Sequence, residues 1–296
     1  MELITVQSTD TLWNVCERLY FPQSLTIHSE ITRKNYRYAC EFLATFLGRE
    51  ATIADLTKPV LIGYLKWLVN VRQLAPKTAN ERCGRIRAMW AWLDEEGLID
   101  RRAPRNIRLP EPDKIPVAWS REELAALYAA TNEMPGQVAG VDAGAWWQGL
   151  LLWLWNTGAR YGETMAVEWT MINLQTRTVH VPARYRKGRR KPAIYRLWED
   201  TQAALIAIRT AEPRVFAWDR SEASYYLHWN DLLRLANLPT GRNRKTQSMR
   251  VSHASWLAVR GGDATRSLLH SDPATTRAHY LDSRLTTTEP DLFRLG

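Results

Sequence analysis

Cysteine is scarce in this chain: three in 296 residues, at Cys16, Cys40 and Cys83. They are far apart, odd in number and form no Cys-x-x-Cys pair, which argues against a disulfide framework and gives no zinc signature. Buried free thiols in a reducing compartment are the expected state. Long apolar runs are lacking too. The most apolar stretch, Ala145 to Trp155, is about half the ~20 residues that cross a bilayer, and Gln148 interrupts it. A buried helix is expected there. Residues 1–8 contain no basic segment followed by an apolar one, so no secretory signal is expected. No repeat and no low-complexity tract is present. These absences point to a cytoplasmic protein without membrane contact.

Acidic residues are outnumbered, 31 against 40 Lys and Arg, for a formal charge of +9. The basic residues are clustered, which favours a polyanionic partner over a surface kept basic only for solubility. Tryptophan is abundant, with fourteen copies. Trp67, Trp90, Trp92, Trp153, Trp155 and Trp256 sit among aliphatic residues at helical spacing, so core packing is expected rather than base stacking.

The length suits two domains. In the first hundred or so residues, one helix is expected from about Ile31 to Leu47, with Tyr36, Cys40, Leu43 and Leu47 on one face. A second opens at Thr57, tolerates Pro59 in its first turn, and carries Leu61, Tyr64, Leu65 and Leu68. A third opens near Pro76, turns Ile86, Met89, Trp90 and Leu93 inward, and stops at Gly97. Its other face carries Lys77, Arg82, Arg85 and Arg87. From Arg101 to Val117 four prolines break periodicity and mark a linker. Ser120-Arg121-Glu122-Glu123 is a capping box that starts the next helix. Thr178 to Pro182 and Ala193 to Leu197 read as strands flanking a basic turn from Arg184 to Lys191.

Four constellations carry chemistry. In Thr157-Gly158-Ala159-Arg160-Tyr161-Gly162-Glu163 a helix ends and another begins, so Arg160 adds its fork of donors to free backbone N–H groups, a combination that suits an anion. Glu163 can hold the guanidinium from behind. The turn around Lys187 can follow a phosphate backbone or protonate a leaving oxygen; as a solvated loop it does neither. Gln247 and Arg250 share a helical face and can reach one phosphate together. His253 continues that face and is expected to be structural. In the closing phrase, Asp272 is an N-cap, Pro273 suits the first helical position, His270 precedes the helix and Tyr280 ends it. A phenol is a poor nucleophile at its usual pKa of about 10. Two arginines, a lysine and a histidine around a phosphodiester would let it attack without metal or cofactor.

Taken together, these residues resemble the tyrosine recombinases, the phage-integrase family. The resemblance rests on Thr157-Gly158-x-Arg160-x-x-Glu163, Lys187-Gly188-x-x-Lys191 between two strands, and Met249-Arg250 leading into a helix that ends at Gly261-Gly262-Asp263. It is completed by Leu269-His270-Ser271-x-x-x-Thr275-Thr276 with Tyr280. The stretch from Ala75 to Ile99 is similar to the last helices of the family's core-binding domain.

That resemblance implies a mainly α fold with a small β-hairpin or sheet. A helical, SAM-like core-binding domain would span residues 1–112 and a mixed α+β catalytic domain residues 113–296, together clamping duplex DNA at a specific recombination site. It implies Tyr280 as nucleophile, Arg160 and Arg250 on the transition-state charge, Lys187 as acid, and His270 and Gln247 orienting the phosphate. DNA contacts are expected from Lys77, Thr78, Arg82, Arg85, Arg186, Arg189, Arg190, Arg244 and Lys245. A monomer in free solution and a homotetramer on two duplexes are implied, with no cofactor. A separate arm-site domain is not expected.

Two departures stand out. Gln247 occupies the place of the family's usual histidine and cannot shuttle a proton, a loss of order ~10²-fold if that residue acts as a base. One residue is also inserted between His270 and Tyr280, which the helix opened by Pro273 is expected to absorb. A type IB topoisomerase shares the chemistry and would relax supercoils without sequence preference. An accessory DNA-binding protein, damaged at Gln247, would bind a site and form no adduct. The intact Arg–Lys–Arg–His–Tyr set argues against an unrelated basic regulator.

Overall fold

Helices dominate both units into which the chain divides, Met1–Asp113 and Lys114–Gly296. The computed structural model describes residues 5–24, 29–186, 191–241 and 244–286. Lys187, Arg189 and Arg190 therefore lie outside the described residues.

In the first unit, α1 (Leu12–Val15) runs through a π-helical turn, Cys16–Tyr20, into α2 (Phe21–Gln23). Helix α3 (Glu30–Leu47) is capped by Ser29 and stops at Gly48, whose φ of 70° is the left-handed conformation that glycine supplies. Helix α4 (Lys58–Asn70) is capped by Thr57, with Pro59 in its first turn. Helix α5 (Pro76–Glu95) follows. The expected inward faces are buried: Tyr36, Cys40 and Leu43 on α3, Leu61, Tyr64, Leu65 and Leu68 on α4, and Ile86, Met89, Trp90 and Leu93 on α5. Each such side chain contributes about 1.5–3 kcal/mol relative to exposure. All three cysteines are buried free thiols.

The proline-rich stretch holds no helix or strand, yet it is not free. The Asn80 amide brackets Leu109, donating to its carbonyl at 2.9 Å and accepting from its N–H at 2.8 Å. Arg101 donates to the carbonyls of Ala54 and Leu56, and its own carbonyl accepts from Trp90 Nε1. At the other end, the Ala118 N–H donates to Asp282 and the Trp119 N–H to Ser252. Both ends of the expected linker belong to the units they adjoin.

In the second unit, α6 (Arg121–Ala130) begins at the expected capping box, with Ser120 and Glu123 satisfying each other's backbone N–H groups. A two-strand hairpin, β1 (Gln137–Val138) and β2 (Val141–Asp142), leads into α7 (Ala143–Thr157). Helix α7 is the axis of the core: Trp146, Trp147, Leu150, Leu151, Trp153 and Leu154 are all buried. After α8 (Tyr161–Thr164) comes an antiparallel sheet of β3 (Ile172–Asn173), β4 (Thr178–Val181) and β5 (Ala193–Arg196). Its register pairs Val179 with Tyr195 and Val181 with Ala193, all four facing the core. The Asn156 side chain ties this sheet to α7, donating to Arg196 O and accepting from the Trp198 N–H. Helices α9 (Glu199–Ala207), α10 (Glu222–Leu235), α11 (Gln247–Val259), α12 (Ala264–Ser267), α13 (Pro273–Tyr280) and α14 (Ser283–Thr286) complete the unit.

One side of α11 is stitched by hydroxyls. Ser248 Oγ accepts from Trp119 Nε1, and Ser252 Oγ accepts from the Trp119 N–H. Ser255 Oγ donates to Tyr280 O and accepts from the Asp282 N–H. Of the tryptophans expected inside, Trp90 and Trp153 are buried, and Trp67, Trp92 and Trp155 pack against the cores. Trp256 instead lies under the Arg121 guanidinium, 4.8 Å from ring centroid to Cζ. Among the described residues, no helix is long and apolar enough to cross a membrane.

Ser120→Ala removes one half of the capping box. It should cost ~1 kcal/mol, read as a lower denaturation midpoint at unchanged slope.

Candidate active site

Three chain reversals bring the second unit's polar groups to one point. Helix α7 ends at Gly158, whose φ is 59°. A Cβ there would lie 2.7 Å from His253 Cδ2 and 3.0 Å from Leu268 Cδ2, so both backbone and space require glycine. The Gly158 carbonyl accepts from Arg250 Nη1. Arg160 follows as the N-cap of α8, with a partly exposed side chain. Its Nη1 donates to Glu163 Oε1 at 3.0 Å and its Nη2 points at His270 Nε2, 3.3 Å away. Glu163 does hold this guanidinium from behind.

Arg250, on the first turn of α11, is 1% exposed. Its Nη2 donates to Leu268 O at 2.9 Å and to His270 Nε2 at 3.0 Å. Burial, with Arg160 beside it, lowers its pKa. His253, expected to be structural, is so: Nδ1 donates to Trp155 O, and Nε2 accepts from Ser267 Oγ, both at 2.7 Å. Burial pushes its pKa down, so the ring serves as a neutral brace.

The tautomer of His270 follows from its neighbours. Two guanidinium groups, which only donate, converge on Nε2. Nε2 is therefore the acceptor, and Nδ1 carries the proton, donating to the buried Thr276 Oγ1 at 2.9 Å. Burial first, then Arg250, Arg160 and Arg186, push the imidazole down from its ordinary 6.5 to about 4. Tyr280 closes the site. Its ring centroid is 4.7 Å from that of His270 and 5.1 Å from Arg250 Cζ.

Among the described residues, Glu163 is the carboxylate whose charge acts on His270. It is 2% exposed, and its Oε2 accepts from Tyr195 Oη at 3.0 Å. Three guanidinium groups, Arg160, Arg186 and Arg250, act on this one carboxylate, so among the described residues positive charge is in excess. The arrangement can bind and polarise a phosphate-sized anion beside a phenol.

The structure gathers Arg160, Arg250, His270 and Tyr280. Gln247 is exposed at the start of α11, in a groove of about 540 Å³ shared with Lys114, Lys245 and His279. Lys187 lies outside the described residues.

Three of the arginines expected to contact DNA are engaged within the free protein. Arg82 stacks on Phe42, with Cζ 3.6 Å from the ring centroid, because α5 turns it toward α3. Arg186 is buried, its Nη1 donating to the carbonyls of Lys191 and Pro192. Arg244 lies over Trp119 and is paired with Glu123 at 3.1 Å. Lys77 and Lys245 are exposed, and Thr78 and Arg85 partly so.

Sequence reasoning missed Tyr195 and the orienting bond of Thr276. Alternation along β5 signals that Tyr195 points inward, but nothing local signals its partner. Thr276 stands in the closing phrase, six residues after His270, without any cue to its bond.

No family model matches the chain. It is similar to the curated tyrosine recombinase XerC of Pediococcus pentosaceus, 23% identical over 179 residues. The match spans 58% of this chain and 58% of that protein's length. Among solved structures, a lambda integrase tetramer bound to a Holliday junction superposes with a TM-score of 0.69 at 14% identity, over 93% of this chain and 78% of that one. The Tn1549 transposon integrase in complex with a circular-intermediate DNA gives 0.68 at 12% identity, over 92% and 95%. The XerH site-specific recombinase bound to a palindromic difH substrate gives 0.64 at 16%, over 84% and 75%. The chain has the fold of the tyrosine recombinases, mainly α with a small sheet, and its curated relative points to the same family.

In the free protein, His270 observed by NMR should stay neutral, Nδ1-protonated, down to about pH 4. Between 6.5 and about 4 the unfolded chain takes up a proton that the native imidazole refuses. Stability should therefore fall on acidification through that window, with no contribution from this group above it. A titration midpoint near 6.5 would refute the arrangement.

Proposed function

We propose that the chain is a site-specific tyrosine recombinase that cleaves and rejoins duplex DNA through a 3′-phosphotyrosine. One observation carries the reading: Arg160 and Arg250 converge on His270 Nε2 at 3.3 and 3.0 Å, with the Tyr280 ring against His270 and Arg250. The similarity to a curated tyrosine recombinase supports it.

In this reading a phosphodiester enters where the two guanidinium groups meet. Their N–H groups turn from the imidazole to its non-bridging oxygens. Tyr280 Oη attacks phosphorus, and the bond to the 5′-oxygen breaks. The phenol gives up one proton and the 5′-oxygen takes one, so the step is neutral in protons and conserves the ester's energy for rejoining. Arg160 and Arg250 stabilise the pentacovalent transition state. His270, held by Thr276, takes the proton that Tyr280 Oη gives up on its bare Nε2 and, so charged, donates to a phosphoryl oxygen. Lys187 is the acid that the family resemblance assigns. Gln247 and Lys245, facing one groove, contact the flanking backbone. We further propose that residues 1–112 form a core-binding domain and 113–296 the catalytic one. The protein would be a monomer in free solution and a homotetramer on two duplexes.

The test is a covalent-adduct assay with DNA fragments from the flanks of the protein's own gene. Wild type should form a complex that survives SDS, and Tyr280→Phe should bind equally and form none. Arg160→Ala should slow single-turnover cleavage by at least ~10²-fold. An adduct in the Phe variant would sink the assignment.

Binding should also be salt-dependent. Lys77→Ala with Arg85→Ala should flatten the slope of log Kd against log salt by about one for each phosphate no longer neutralised. An unchanged slope would remove α5 from the interface.

A further inference from the structure

Arg186 is the cation for which the reaction above has no use. It is 8% exposed, and its Nη1 donates to Lys191 O at 2.9 Å and Pro192 O at 3.1 Å. Its Nε lies 3.6 Å from Glu163 Oε1, beyond hydrogen-bonding distance, and has no hydrogen-bond partner among the described residues. A guanidinium so placed faces the carboxylate and not open solvent. A neutral side chain could fill the same volume without the desolvation that a buried charge costs. What Arg186 adds is charge.

The balance of charge among the described residues shows what that addition does. Arg160 and Arg250 against Glu163 leave one positive charge in excess among the described residues, before the Lys187 that the reaction above takes as its acid is counted. Arg186 adds one more. As Tyr280 Oη gives up its proton and bonds to phosphorus, the negative charge on the phosphoryl oxygens grows from one toward two, until the bond to the 5′-oxygen breaks. A further positive charge stabilises that more negative transition state more than the singly charged bound substrate, and only such differential stabilisation accelerates a reaction. We propose that Arg186 is a positioning residue that never touches the phosphate: it seats Glu163 behind Arg160 and supplies a further positive charge. This deepens the recombinase reading and rests on it. Arg186 is also among the groups that disfavour a charged His270, with Arg250 and Arg160, while Glu163 opposes them.

The test compares Arg186→Met, which removes the charge, with Arg186→Lys, which keeps charge but loses the fork. Non-covalent DNA affinity is read in the Tyr280→Phe background, cleavage as single-turnover adduct formation, and His270 titration by NMR in the free protein. Arg186→Met should leave Kd within about twofold and slow cleavage about tenfold, less than losing a donor bonded directly to the oxyanion. His270 should then titrate at higher pH. Arg186→Lys should restore cleavage to within a few-fold of wild type and keep the wild-type titration.

Equal slowing by both variants would make the fork, not the charge, the active property, and overturn the proposal. So would a normal rate in Arg186→Met, or a loss of affinity matching its loss of rate. If near-ultraviolet circular dichroism shows Arg186→Met unfolded, Arg186→Lys decides alone: near-wild-type cleavage supports the proposal and slow cleavage ends it. Absence of adduct with wild type would count against the recombinase reading. The His270 titration would still test the charge of Arg186 without DNA.

Discussion

Like-charge crowding is the constraint on which the second unit depends. Arg160 and Arg250 aim at a single imidazole nitrogen. At an effective dielectric of ~20, two like unit charges within a few ångströms of each other repel by several kcal/mol. The fold holds them together with fixed acceptors. Arg250 is pinned by the carbonyls of Gly158 and Leu268, and Arg160 by the Glu163 carboxylate. His270 answers the same field by staying neutral. An anion entering this site would find it already assembled, its own charge relieving the repulsion between the two guanidinium groups. Preorganised polarity of this kind costs no rearrangement when charge develops.

The scaffold behind this site is rigid for identifiable reasons. Helix α7 is packed on most sides by tryptophan and leucine, so its C-terminal end is a firm point from which Gly158 turns the chain. His253 braces that turn to α12, and Asn156 fastens the same end to β5. Arg160, Glu163 and Tyr195 are thereby referred to one helix end.

Much of this was legible in the sequence because the cues were local. The capping boxes and caps at Ser120, Thr57 and Asp272 lie within four residues of what they specify. The helical faces of α3, α4 and α5 follow from period alone. The left-handed turn at Gly158 and the guanidinium–carboxylate pair three residues apart were equally local. Strands β1, β2 and β3 went unseen because two residues carry too little alternation. The intramolecular partners of Arg82, Arg186 and Arg244 were hidden for another reason. An arginine in a basic run has the same local pattern whether it faces solvent or stacks on a distant Phe42 or Trp119. Gln247 was placed beside Arg250 by spacing, and it lies on the same helix three residues earlier, exposed along a groove.

The serine side of α11 has a consequence for how this chain can vary. Ser248, Ser252 and Ser255 hold the helix by directional bonds, and Arg250 lies on another side of it, about 200° around from Ser248. A greasy seam tolerates a rolled helix and swapped aliphatic residues; a hydroxyl seam does not, because each missing partner strands a buried donor. The aim of Arg250 is thus held at the expense of mutational latitude. Drift in descendants of this sequence should be slow along that seam and faster on the exposed faces of α9 and α10.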